Sequence, residues 1–73
     1  MVPKEYFKKL TGTNDIWEIR IQFGNNIFRF LGFYEVSNTI VLTNAFSKKS
    51  RKTPENEIKL AEQREKEYYE RKN

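Results

Sequence analysis

Apolar and polar residues alternate most regularly within residues 16–49, IWEIRIQFGNNIFRFLGFYEVSNTIVLTNAFSKK. In residues 16–23, Trp17, Ile19, Ile21 and Phe23 fall on one side and Glu18, Arg20 and Gln22 on the other. That period of two marks a half-buried β-strand. Residues 27–36 are denser in apolar groups: Phe28, Phe30 and Tyr34 share one side, while Ile27, Leu31 and Phe33 share the other with Arg29. A strand apolar on both sides belongs in the middle of a sheet. Residues 39–47, TIVLTNAFS, are β-branched and mostly apolar, and complete a three-stranded antiparallel sheet.

Turn chemistry suggests a register. Asn tolerates positive φ better than other non-glycine residues, so Asn25–Asn26 is expected to form a two-residue hairpin loop. Phe23 then pairs with Phe28, Ile21 with Phe30, Trp17 with Tyr34 and Gln22 with Arg29, leaving Arg20 diagonal to Arg29. A turn at Ser37–Asn38 pairs Arg29 with Phe46 and brings Lys48 diagonally close. Arg20, Arg29 and Lys48 would then cluster at one end of one face, whose remainder is Leu31, Phe33, Ile40 and Leu42. The opposite face, from Trp17 to Phe30, is expected to form the main core.

Helices are expected on both flanks. Residues 3–10, PKEYFKKL, read as two helical turns with Pro3 at the first position, Tyr6, Phe7 and Leu10 on one side, and Gly12 as C-cap. Thr53-Pro54-Glu55 is a helix start, with Thr as N-cap, Pro at the first position and acid in the first turn. The helix continues to about Lys72, with Ile58, Ala61, Tyr68 and Tyr69 along a narrow stripe and Glu55–Lys59, Glu62–Lys66 and Glu67–Arg71 as i,i+4 pairs. The predicted fold is α+β: a single domain over 1–73, with a short N-terminal helix (3–10), a small antiparallel three-stranded sheet (16–47) and a longer C-terminal helix (54–72).

Composition narrows the chemistry. The 73 residues hold no Cys and no His, so disulfides, thiol or Ser–His catalysis and histidine-ligated zinc drop out. No metal or other cofactor is expected. Six Phe, four Tyr and one Trp supply much buried area to a chain with a thin core. A chain of this size commonly leans on a partner or on oligomerisation. The net charge of +4 favours polyanions only weakly. No apolar run is long enough to span a membrane, and the charged start MVPKEYFKKL does not suit a secretory signal, so a soluble, cytoplasmic protein is expected.

Arg and Lys on a sheet face remain as candidate chemistry. Arg offers a bidentate fork to phosphoryl oxygens and Lys a compact charge. Around a scissile phosphodiester such cations stabilise the charge of the transition state. RNA supplies its own nucleophile, the 2′-hydroxyl, so a metal-free site further needs a proton acceptor and a donor. Glu18, Lys48, Lys49 and the C-terminal tyrosines are candidates for these roles, and the residues alone do not choose among them. The connector SKKSRKT (47–53) adds Lys48, Lys49, Arg51 and Lys52 as possible RNA contacts. The same residues also suit a solvated loop and a half-exposed edge strand. Arg29 differs, because an Arg amid Ile27, Leu31 and Phe33 on a central strand needs a partner or ligand.

The order W-E-I-R (17–20), F-R-F-L-G-F (28–33), A-F-S-K-K (45–49) and T-P (53–54), followed by a helix, resembles the RelE/HigB superfamily of type II toxins, nearest its phage-derived HigB-like branch. The likeness runs from about Val2 to Arg71. It implies an antiparallel sheet with helices on one side and an mRNA endoribonuclease acting on ribosome-bound message, neutralised by a cognate antitoxin. It further implies that Arg20, Arg29 and Lys49 (or Lys48) are phosphate-binding and transition-state cations, with Glu18 in the matching motif. Members of that superfamily are longer and open with a strand and helix that this chain lacks. That difference raises the alternative of a silent remnant that only binds an antitoxin-like protein or RNA, and predicts self-association through an exposed sheet edge.

Overall fold

The computed structural model describes residues 4–36, 38–47 and 52–72. Four strands, β1 (Lys4–Lys9), β2 (Ile16–Phe23), β3 (Asn26–Glu35) and β4 (Thr39–Phe46), precede one helix, α1 (Glu55–Lys72). The strands form an antiparallel meander in the order β1-β2-β3-β4. The expected short N-terminal helix and three-stranded sheet are therefore replaced by a fourth strand and a single C-terminal helix. So short a helix gains little on its own. As a strand, KEYFKK pairs along β2 from Lys4↔Gln22 to Lys9↔Trp17 and satisfies backbone groups that β2 would otherwise expose as an edge. Thr13 fastens the connecting turn: its hydroxyl donates to the Leu10 carbonyl (2.8 Å) and accepts from the Ile16 amide (3.3 Å).

The β2–β3 register differs from the expected one by a two-residue slip. The loop is Gly24–Asn25, with Gly24 at φ 61°, because glycine adopts positive φ at less cost than asparagine. Arg20 consequently lies directly opposite Arg29, and Ile16 opposite Phe33. A slip of two preserves the side on which every residue lies.

Arg29 does pair with Phe46, but the β3–β4 ladder shifts between Leu31 and Gly32, so Thr43 is an extra residue on β4. A β-carbon on Gly32 would meet the Val41 carbonyl oxygen at 2.6 Å, which accounts for glycine at the bulge. The shift reverses the alternation beyond it. Val41, and not Ile40 or Leu42, sits opposite Phe33.

The core also lies on the other face from the one expected. Leu10, Ile16, Leu31, Phe33 and Ala61 are buried together, with Val41, Phe46, Ile58 and Tyr68 packed around them. Helix α1 thus covers the face that carries Glu18, Arg20 and Arg29, and among the described residues no helix lies on the Trp17–Phe30 face. Polar bonds fix the helix in place. Asn44 Nδ2 donates to Glu57 Oε1 (2.8 Å), and Arg64 donates to the Thr43 carbonyl at the bulge (2.5 Å). Lys72 pairs with Glu35 near the far end.

Candidate functional site

Three of the residues singled out from the sequence lie on adjacent rungs of the helix-covered face. Lys8, Glu18, Leu31 and Asn44 form one rung across the four strands. The next, toward the Gly24 turn, holds Tyr6, Arg20, Arg29 and Phe46. Directly opposed strand residues have β-carbons only about 5 Å apart, so the two arginines share a small region. Like charges in that relation repel, and neighbouring groups must offset them.

Glu18 is one such group. It is 2% exposed, and its Oε2 lies 3.6 Å from Arg29 Nη1. Its other oxygen accepts a hydrogen bond from the Thr53 hydroxyl, itself buried. Arg20 Nη2 donates to Gln22 Oε1 at 3.4 Å along the same strand. The Arg29 side chain retains 17% exposure, and a cleft of about 380 Å³ beside it is lined by Ile27, Phe46 and Ser47 and, from the other face, by Phe28, Phe30 and Ala45.

Thr53 was expected only as a helix N-cap. Its hydroxyl instead donates to the sheet carboxylate, and the Pro54 carbonyl accepts the first helical bond, from Ile58 (3.2 Å). The Glu18–Thr53 contact spans 35 positions, so no local spacing could announce it. Lys8 was missed as well, because its segment was read as a helix; as part of β1 it faces Glu18. Lys8 and Lys52 both line a second cleft, of about 240 Å³, with Thr53 and Glu55 at the helix start. Lys48, Lys49 and Arg51 lie outside the described residues. The connector that carries them joins two fixed points, Phe46 opposite Arg29 and Thr53 on Glu18.

The arrangement is a compact cationic face built around one buried carboxylate. Glu18 orients Arg29, and Thr53 ties that carboxylate to the start of α1. Among the described residues no group of acids is placed to hold a metal ion. None of their helices is long and apolar enough to cross a membrane.

A family model for phage-derived Gp49-like proteins (DUF891) matches residues 1–66. The chain belongs to this family. Gp49-like proteins are a RelE-like toxin family, which agrees with the broader part of the resemblance read from the sequence. Comparison with curated proteins finds no significant match, and comparison with solved structures finds none either. The match includes β1 and both arginine-bearing strands.

Proposed function

We propose that this Gp49-like chain is the toxin of a type II toxin–antitoxin pair, of the HigB-like kind, and cleaves ribosome-bound mRNA without a metal. The observation that carries this reading is the direct cross-strand pairing of Arg20 and Arg29, with a cleft open beside Arg29. Two guanidinium groups on one rung present several N–H donors to a single phosphate, and charge-assisted bonds of that kind are the strong ones. The RNA 2′-hydroxyl attacks the phosphorus, the bond to the 5′-oxygen breaks, and the extra negative charge of the transition state rests on Arg20 and Arg29.

Glu18 acts through Arg29. Its burial and its bonds suit a positioning group that holds the guanidinium, not one that exchanges protons with substrate. Proton transfer then falls to the lysines of the connector, Lys49 or Lys48, with Arg51 and Lys52 following the RNA backbone. An antitoxin would silence the site by covering this cationic face.

The test is primer extension on mRNA in a translation extract, comparing the native chain with Arg29→Ala. Cuts within codons by the native protein, lost in a variant with unchanged circular dichroism, are expected. A folded native protein that binds RNA or an antitoxin yet never cuts would reduce the reading to the binding remnant. Retained cutting by folded Arg29→Ala would move the site elsewhere.

A further inference from the structure

The face of the sheet turned away from α1 is apolar and largely aromatic, and among the described residues no element packs over it. Phe7, Phe28, Tyr34 and Leu42 are 49%, 49%, 41% and 53% exposed on it. Trp17 and Phe30 are half-buried among them, and the Trp17 ring meets the Tyr34 ring edge-on at 5.4 Å. The positions of β2, β3 and β4 on this face run through Trp17 to Phe23, Asn26 to Tyr34, and Ile40, Leu42 and Ala45, and none is charged. On β1, at its border, the register adds two charged positions, Glu5 opposite Ile21 and Lys9 opposite Trp17. By contrast every described charge of β2 and β3 lies on the helix side.

We propose that this face is the interface of a homodimer in which two sheets stack into a sandwich, with a helix on each outer side. A second copy is the occupant that the charge pattern favours. A partner recognised through charge would find no counter-charge on β2, β3 or β4 of this face. A copy placed by a two-fold axis brings the uncharged positions of β2, β3 and β4 against their own kind, with Glu5 and Lys9 on the β1 border. The area agrees. The most exposed side chains offer on the order of 500 Å², about the largest patch an ordinary monomer leaves open. The half-buried Trp17, Ile21, Phe30 and Ile40 raise the total toward the roughly 800 Å² per partner of a stable complex. Twisted sheets stack face to face about 10 Å apart through such interdigitating side chains. The edge of β2, meanwhile, is occupied by β1, so association by face replaces association by that edge.

The experiment is sedimentation equilibrium of the full chain over a range of concentrations, with the emission of Trp17, the single tryptophan, followed on dilution. The native chain is expected to be a dimer whose emission shifts to longer wavelength as it dissociates. Phe28→Lys and Leu42→Lys each place a charge in the interface and are expected to weaken association by roughly a hundredfold or more. Ile27→Lys, an exposed apolar position on the helix side, is expected to leave it intact. Circular dichroism shows which variants fold, and two independent interface variants guard against one that does not. A native chain monomeric at every concentration overturns the proposal, even if it captures some other protein. So does a dimer that survives both substitutions, or one that Ile27→Lys breaks equally.

Discussion

The two faces of this one sheet solve burial in different ways. The helix-covered face mixes apolar residues with Glu18, Arg20, Arg29 and Asn44, and it holds the buried core. The bare face is the more uniformly apolar of the two and buries less. Pattern alone would place the core on the second. A helix docks where it can be both packed and fixed, and the first face offers Asn44 to Glu57, Glu18 to Thr53 and the bulge carbonyl of Thr43 to Arg64. Hydrophobic burial is non-directional, whereas these bonds choose an orientation. One of the residues that fix the helix, Glu18, also pairs with Arg29.

The largest expected effect separates the faces by size and by concentration. Phe33 is fully buried against the rings of Tyr68 and Tyr69, at 5.4 and 5.6 Å. Phe33→Ala should cost about 3–5 kcal/mol, enough to unfold most of a chain of this size. That loss should be the same at every protein concentration. Phe28→Ala removes an equal ring from the bare face and should cost little at high dilution, with a deficit that grows as concentration rises and the native dimer is favoured by mass action. Urea unfolding at several concentrations measures both. Equal, concentration-independent losses would erase the distinction between the faces.

Glu18 comes next. Glu18→Ala removes the carboxylate that faces Arg29 and accepts from Thr53, leaving Arg29 opposite Arg20 without it. Breaking a buried pair from one side costs about 3–5 kcal/mol, and the partial exposure of Arg29 puts this site at or below the lower end. Glu18→Gln keeps an acceptor for Thr53 and loses only the charge, so it should cost distinctly less. On RNA the order should differ: Glu18→Gln should bind nearly as well as native yet cleave more slowly, because Arg29 is no longer held. If both variants were as stable as the native chain, the helix would not depend on this anchor.

How far the sequence carried these conclusions depended on range. Strands β2, β3 and β4 and helix α1 could be read from alternation, from the Thr-Pro-Glu start and from turn residues, which are local signals. The neighbourhood of Arg20 and Arg29 survived an incorrect register because a slip of two residues leaves faces unchanged. Three features were not readable. The segment KEYFKK suits a short helix or a strand by composition, and the free edge of β2 decides between them. The bulge at Thr43 follows from the close approach of Val41 to Gly32, which needs both strands in place. Thr53 and Glu18 meet across 35 positions, and that contact, with the helix bonds to Asn44 and Thr43, sets the covered face.

The smallest effect lies at the margin of the covered face, where α1 meets the β1–β2 loop. Glu65 on the helix and Asp15 in the loop bring two carboxyl groups together, and the pKa of Glu65 is pushed up from 4.5 to about 7. Partial burial is the first cause; its hydrogen bond with Asp15 and the negative charges of Asp15 and Glu62 follow. Asn14, Lys66 and Tyr69 line the same cleft. The protonated carboxyl donates to Asp15, so the folded state binds a proton that the unfolded chain has already released. Stability from this contact is complete below about pH 4.5 and is lost as pH rises through about 7. Thermal melts from pH 5 to 8 should therefore show Tm falling by a few degrees across the upper half of that range. Glu65→Gln retains a donor for Asp15 at every pH and should flatten the profile while raising Tm at pH 8. A native profile without that fall, or one that Glu65→Gln leaves unchanged, would mean that the loop and the helix are not joined by a shared proton.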